Sequence, residues 1–460
     1  MPRLAIALLL LRLTLTASAQ TVIPPGTTRI IPLLPNEHWW GGAVNDGVRM
    51  PFTDGYRNDL YGNLQGNQAQ PLLLSDKGRV IWSDAPFAFA HQGTALRIET
   101  RDSLWLTGGQ ADLRGAFAHA SATYFPPTGI LPDRLLFARP QYNTWIELTY
   151  DQNQADILRY ARAIVDNGFS PGVLMIDDTW QEAYGMWRFH PGRFPDPGAM
   201  MEELHTLGFK VMLWVCPFVS PDTEVFRAAA EQGLFLEYPD NQAVAGSPRS
   251  SFGRVAMIGW WNGYSALLDL SNPAAPAWFE GELQHLVSTY GVDGFKLDAG
   301  DASFYPAWLR SHVPGTSPND HAELFARIGL AFPLNEYRAT WKMGGQPLAQ
   351  RLRDKGHDWA DLATLMPNIM VQGLMGYAFT CPDMIGGGEF TSFLNDATID
   401  QELIVRSAQV HALMPMMQFS VAPWRILDAT HLRAVKEAVA IREKFTPLIL
   451  RLAEQAARDG

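Results

Sequence analysis

The spacing of apolar positions changes character partway along the chain. From about Thr21 to Pro140 apolar residues come in short runs, RIIPLL, QPLLLS, RVIWS, ALRIET and SLWLT, separated by Gly, Asn, Asp and Pro. Such runs, with turn residues between them and little helical periodicity, predict the strands of a β-sandwich. After FARPQYNTW the pattern alternates: WIELTY, then QADILRYARAIVDNG, GVLMIDD, MMEELHTLG and KVMLWVCPF, followed by a further helix and strand. Repeating strand–helix units imply a parallel sheet, and eight of them fit before residue 455. An open doubly wound sheet would alternate in the same way, but no G-x-G-x-x-G follows the first strand. The expected fold class is α/β, a (β/α)8 TIM barrel over 139–460 preceded by an N-terminal β-sandwich over 20–138. The polar stretch DNQAVAGSPRSSFG, 240–253, reads as a loop on the barrel.

The first nineteen residues modify this picture. A basic start, an apolar run broken by Arg12 and a small-residue A-S-A site before Gln20 have the layout of a signal peptide, 1–19. The expected location is therefore periplasmic or extracellular, with no membrane attachment after cleavage. The remaining residues, about 440, exceed what one core usually holds, in keeping with two domains. A net charge of −11 without basic clusters argues against nucleic acid as a partner. Fifteen Trp and thirteen Tyr raise the prospect of a carbohydrate partner, since aromatic faces stack on sugar rings, although most tryptophans serve as core. Cys216 and Cys381 lie in apolar runs far apart and read as buried thiols. No metal and no organic cofactor is expected, because HExxH, clustered histidines and a calcium loop are all missing.

Candidate chemistry sits where the apolar runs of the barrel end: Asp177 and Asp178 after GVLMI, Lys296 and Asp298 in DGFKLDAGD, Arg338 after LNEY, Asp383 after YAFTCP. Barrels carry their active sites at those ends. Residues two apart on a strand share a face, so Lys296 and Asp298 point together toward the axis. A lysine there would hold Asp298 ionised, as a nucleophile needs; a structural ion pair would look the same in sequence.

DGFKLDAGD resembles the nucleophile strand of glycoside hydrolase family 31, retaining α-glycosidases, and MIDD, WWNGYSALLDLSNP, YRATWKMGG and CPDMIGGG match the family in order over roughly 140–425. GYAFTCPDMIGGGEF and MPMMQFSVAPW are most similar to the subgroup of bacterial α-galactosidases and the animal myogenesis-regulating glycosidase. The resemblance implies Asp298 as nucleophile, Lys296 as its preceding lysine and Arg338 as the arginine that precedes the acid/base by 16 positions, which lands on Asp354. By residue pattern alone Asp354 belongs to a solvated charge run. Asp358 is its nearest rival, and the family's W-x-G-D is replaced by R-L-R-D. Asp177 matches a carboxylate that binds outer sugar hydroxyls, with Asp178 beside it. Trp261 matches an aromatic wall and Asp383 another hydroxyl acceptor. Trp214 and Trp341 are further candidate walls, equally readable as core, and Trp40 in HWWGG is a candidate from the first domain.

The resemblance thus implies an exo-acting α-glycoside hydrolase working by double displacement, with carboxyls about 5 to 5.5 Å apart. An R-x-H that many α-glucosidases of the family carry is replaced by Gln418, Phe419 and Ser420, which argues against a glucosyl subsite of the usual kind, and the subgroup resemblance implies galactosides instead. α-Glucosidase, α-xylosidase or transglycosylase activity on the same frame is the alternative, as is a carbohydrate-binding protein without turnover. The chain stops at LILRLAEQAARDG where the family continues, so its C-terminal β-domains are expected to be absent.

Overall fold

The computed structural model describes residues 20–239 and 254–460. The leader-like residues 1–19 and the expected loop 240–253 lie outside the described residues. Eight short parallel strands form the central sheet: β1 (Gln141–Asn143), β2 (Val173–Ile176), β3 (Lys210–Val215), β4 (Gly294–Leu297), β5 (Leu334–Tyr337), β6 (Gln350–Arg351), β7 (Thr380–Cys381) and β8 (Gln418–Phe419). They pair in chain order from β1 to β7, and β8 pairs back onto β1. A bridge from Met384, just beyond β7, to Gln418 on β8 nearly closes the circle, with the Ile385 amide donating to the Gln418 carbonyl at 2.8 Å.

The strands are almost wholly buried because helices cover the outside, as a parallel sheet requires. The helix Gln154–Asp166 shows how the sequence drives this. Asn153 caps it through the Asp156 amide, and its apolar spacing puts Ile157, Leu158, Ala161 and Ile164 on one buried face. Each of the Ile and Leu side chains contributes about 1.5–3 kcal/mol by leaving water. Register then sets the inward layer. Trp214 on β3 pairs with Lys296 on β4, which pairs with Glu336 on β5, so these side chains stand at one level.

The N-terminal region forms two antiparallel sheets, as the short apolar runs predict. One contains Thr28–Pro32, Arg57–Asp59, Ala88–Gln92 and Ala95–Glu99; the other contains Gln20–Ile23, Trp39–Ala43, Gln68–Ser75, Val80–Ser83 and Leu104–Thr107. The second sheet also takes in a strand from the barrel side, Thr340–Trp341, which pairs with Gln68 and Ala69. Trp341 is consequently fully buried in the N-terminal core beside Trp39 and Leu73.

Candidate active site

A cavity of about 460 Å³ opens at the C-terminal ends of the strands, bounded by Asp177, Asp178, Trp214, Trp261, Lys296, Asp298, Arg338 and Asp354. Eight of the eleven residues singled out from sequence therefore meet in one cleft. Asp298 follows β4, its backbone amide donating to the Val215 carbonyl at 2.9 Å. Trp214 Nε1 donates to its Oδ2 at 3.1 Å, while Arg338 Nε at 3.1 Å and the Ala299 amide at 2.8 Å donate to Oδ1. Burial alone would raise this carboxyl's pKa, but the Arg338 and Lys296 charges hold it well below the usual range. It is a fixed anion.

Lys296 acts on Asp298 only through its field. Its Nζ bonds Asp177 Oδ2 at 2.7 Å, and this buried pair keeps the lysine charged against the opposing effect of burial. The direct cationic partner of Asp298 is Arg338, which is itself held by a fork to Asp301 at 3.0 and 2.6 Å and by the Gly66 carbonyl at 2.8 Å. Asp178 accepts from Tyr184 at 3.1 Å and from Asn262 at 2.6 Å. Its burial and the neighbouring Asp177 push its pKa up to about 7.

Asp354 stands in the same cleft, its side chain 39% exposed. Arg351 from β6 donates one nitrogen, Nη1, to Asp354 Oδ1 at 2.6 Å and to Asp383 Oδ1 at 2.7 Å. Its Nε lies 3.2 Å from Glu336 Oε1, an ion pair without hydrogen-bond alignment. Asp358, the rival for the acid/base position, caps the helix Trp359–Leu374 by accepting from the Asp361 amide at 2.8 Å.

Three expected residues stand elsewhere. Trp341 packs in the N-terminal core, drawn there by the strand it forms against Gln68 and Ala69. Trp40 lies on the strand Trp39–Ala43 with its ring against His38, 6.3 Å between centroids. The Gly41 beside it serves strand packing, since a Cβ there would meet the Leu72 carbonyl oxygen at 2.1 Å. Asp383 is buried on Arg351 and the Lys355 amide, 2.9 Å away, and does not line the cavity.

Other cleft residues were not singled out from sequence. Gln65 and Gly66 arrive from the N-terminal region, and Trp145, Tyr150 and Phe390 pack edge to face along the rim, 5.3 and 5.4 Å from Trp145 to its two neighbours. Asp301 was visible within DAGD, three places after Asp298, but only the fold shows its fork to Arg338. Four of seven positive-φ residues other than glycine among the described residues, Gln65, Thr179, Ala299 and Asp383, lie in or beside this site. Such backbone costs of order 1–3 kcal/mol each and clusters where geometry is held for function.

A nearly closed parallel barrel with a fixed anion and a second carboxyl at its strand ends, among aromatic and polar side chains, has the form of a carbohydrate-active site. Residues 136–452 match the TIM-barrel domain of the glycosyl hydrolases family 31, and the chain belongs to that family. It is similar to the myogenesis-regulating glycosidase of Mus musculus, 32% identical over 92% of this chain and 63% of that protein. It is also similar to the SITS-binding protein of Tetronarce californica, 27% identical over 54% of this chain and 35% of that protein. A Flavobacterium johnsoniae GH31 dextranase complexed with glucose has the same fold, with a TM-score of 0.78 at 15% identity, covering 94% of this chain and 56% of that one. The chain thus spans less than two thirds of the length of each of these proteins.

Proposed function

We propose that the protein is a retaining, exo-acting α-glycoside hydrolase with α-galactosidase-like specificity. The observation that carries this reading is the anchored Asp298 anion sharing one cleft with Asp354. In the first step an Asp298 oxygen attacks the anomeric carbon, the bond to the leaving oxygen breaks, and Asp354 gives that oxygen its proton. In the second, Asp354 removes a proton from water, the water oxygen bonds the anomeric carbon, and the glycosyl ester releases Asp298. Trp214 and Arg338 hold the attacking carboxylate in one orientation, so little reorganisation is needed as its charge disappears. Asp177, Asp178 and Trp261 form the hydroxyl-binding and stacking side of the pocket.

The galactoside reading is supported by the end of β8. Gln418 is fully buried and donates to Glu336 at 2.7 Å and Gln141 at 3.0 Å, and Ser420 accepts from the Ile146 amide at 2.8 Å. Both side chains bond the barrel itself and, at the end of β8, do not stand in for the R-x-H grip on sugar hydroxyls. The leader-like residues 1–19 support action outside the cytoplasm.

A panel of nitrophenyl α-glycosides, followed by mass spectrometry with a fluorinated α-galactosyl probe, tests the proposal. The expected result is a covalent adduct on the peptide carrying Asp298. Labelling of another carboxylate, or undiminished turnover in Asp298→Ala, overturns the mechanism; activity on α-glucosides alone overturns the substrate. Sugar binding without turnover is the second reading, favoured by the Arg351 contact that occupies Asp354 Oδ1 at 2.6 Å. Calorimetric binding of galactose by a protein that leaves every glycoside intact would select it.

A further inference from the structure

Arg351 is buried to within 1% of its surface, and its guanidinium meets three carboxylates from successive segments: Glu336 on β5, Asp354 after β6 and Asp383 after β7. Nη1 alone serves both Asp354 and Asp383. Gly388 gives an independent view of how close these two carboxyls lie. A Cβ built there would stand 3.0 Å from Asp354 Oδ1 and 3.0 Å from Asp383 Oδ1, so both oxygens face the same small space.

We propose that Arg351 and Asp383 are positioning residues for Asp354: the guanidinium aims the carboxyl into the cleft, and Asp383, anchored on the same nitrogen, shares one proton with it. This rests on the reading of Asp354 as acid/base. An arginine bonded to an acid would by itself leave that acid ionised and useless as a donor. Here one cation is divided among three carboxylates, which weakens its hold on any one of them. The groups around Asp383 are Arg351, Asp354, the Lys355 and Met384 amides, the Lys355 ammonium, and the Cys381 thiol, which donates to the Asp383 carbonyl at 3.6 Å. Glu336 and Gln418 lie on the far side of Arg351, with Lys296 and Asp298 beyond. Burial and Asp354 raise the Asp383 carboxyl against the pull of Arg351. Glu336 is raised as well, chiefly by burial.

The test compares wild type with Asp383→Asn, Arg351→Met and Arg351→Lys. In Asp383→Asn the arginine belongs more fully to Asp354, so the basic limb of kcat/KM on nitrophenyl α-galactoside moves to lower pH by about one unit. Activity at pH 8 relative to pH 5 then falls about tenfold. Arg351→Met moves the limb the opposite way, and Arg351→Lys restores it toward wild type. Limbs that overlay wild type after a uniform fall in kcat overturn the proposal.

A second measurement works without turnover, so a failure of the hydrolase reading does not obscure this one. A proton held above the ordinary carboxylate range, near 4, stabilises the fold at low pH, and that contribution is lost as pH rises. The unfolding midpoint of Asp383→Asn minus that of wild type therefore climbs between pH 4 and 8. Asp354→Asn, removing the other half of the pair, shows the same climb and serves where Asp383→Asn does not fold. A flat difference for the folded variant overturns the shared proton.

Discussion

Replacing Arg338 by Met puts the anchoring of the nucleophile to a quantitative test. The guanidinium makes two bonds to Asp301, one to Asp298 and one to the Gly66 carbonyl, with 11% of its side chain exposed. Met fills much of the same volume, so the change is chiefly electrical. Two buried carboxylates lose their cation, and breaking a buried pair in this way costs about 3–5 kcal/mol. Most of that penalty is the orphaned charge. Arg338→Met combined with Asp301→Asn removes one orphan and should recover about 1–3 kcal/mol of the loss. Denaturant titrations at pH 7 of both variants read the difference directly. Activity gives a second view: Asp298 is held low chiefly by Arg338, so its pKa rises in Arg338→Met and the acid limb of kcat/KM moves up. A double variant no more stable than the single one, or an acid limb that stays in place, would refute the assignment of Arg338 as the cation that fixes Asp298.

Asp178→Asn should relieve a pH-dependent strain. Its pKa of about 7 lies above the unfolded value, so its contribution to stability is present at low pH and lost as pH rises toward 7. By linkage the variant gains up to about 4 kcal/mol relative to wild type between pH 4 and 8, measured as unfolding free energy against pH. Trp261→Ala should raise KM about 3- to 10-fold with stability within about 0.5 kcal/mol, since this ring is 47% exposed in the cleft beneath Arg338. Trp341→Ala should do the reverse, costing about 3–5 kcal/mol of stability while KM stays unchanged, as befits a core residue. Gly388→Ala should cut kcat with little change in KM, because its methyl group would press on the Asp354 carboxyl at 3.0 Å.

The contrast between Trp214 and Trp341 marks how far sequence could be read. Both follow or end an apolar run, and period-two alternation says only which residues share a face. Trp214 reaches Asp298 because β3 stays in the barrel, with Trp214 in register with Lys296. Trp341 leaves the barrel because Thr340–Trp341 pairs with Gln68 and Ala69, about 270 residues away, and no local pattern encodes such a partner. The barrel itself was legible since each strand–helix unit carries its own periodicity, and so were the strand-end residues Asp177, Asp298 and Arg338. What escaped was the choice of ionic partner. DGFKLDAGD invites Lys296 onto Asp298 because they share a face, yet Asp177, at the end of β2 and two strands round the barrel, takes the lysine at 2.7 Å. Arg338, at the end of the adjacent β5, then takes Asp298, and R-L-R-D, whose first arginine looked like part of a solvated charge run, turns out to bury that arginine between three carboxylates. Charges in a barrel interior are paired around the ring rather than along the strand, so a sequence identifies the members of such a network well before it identifies their partners.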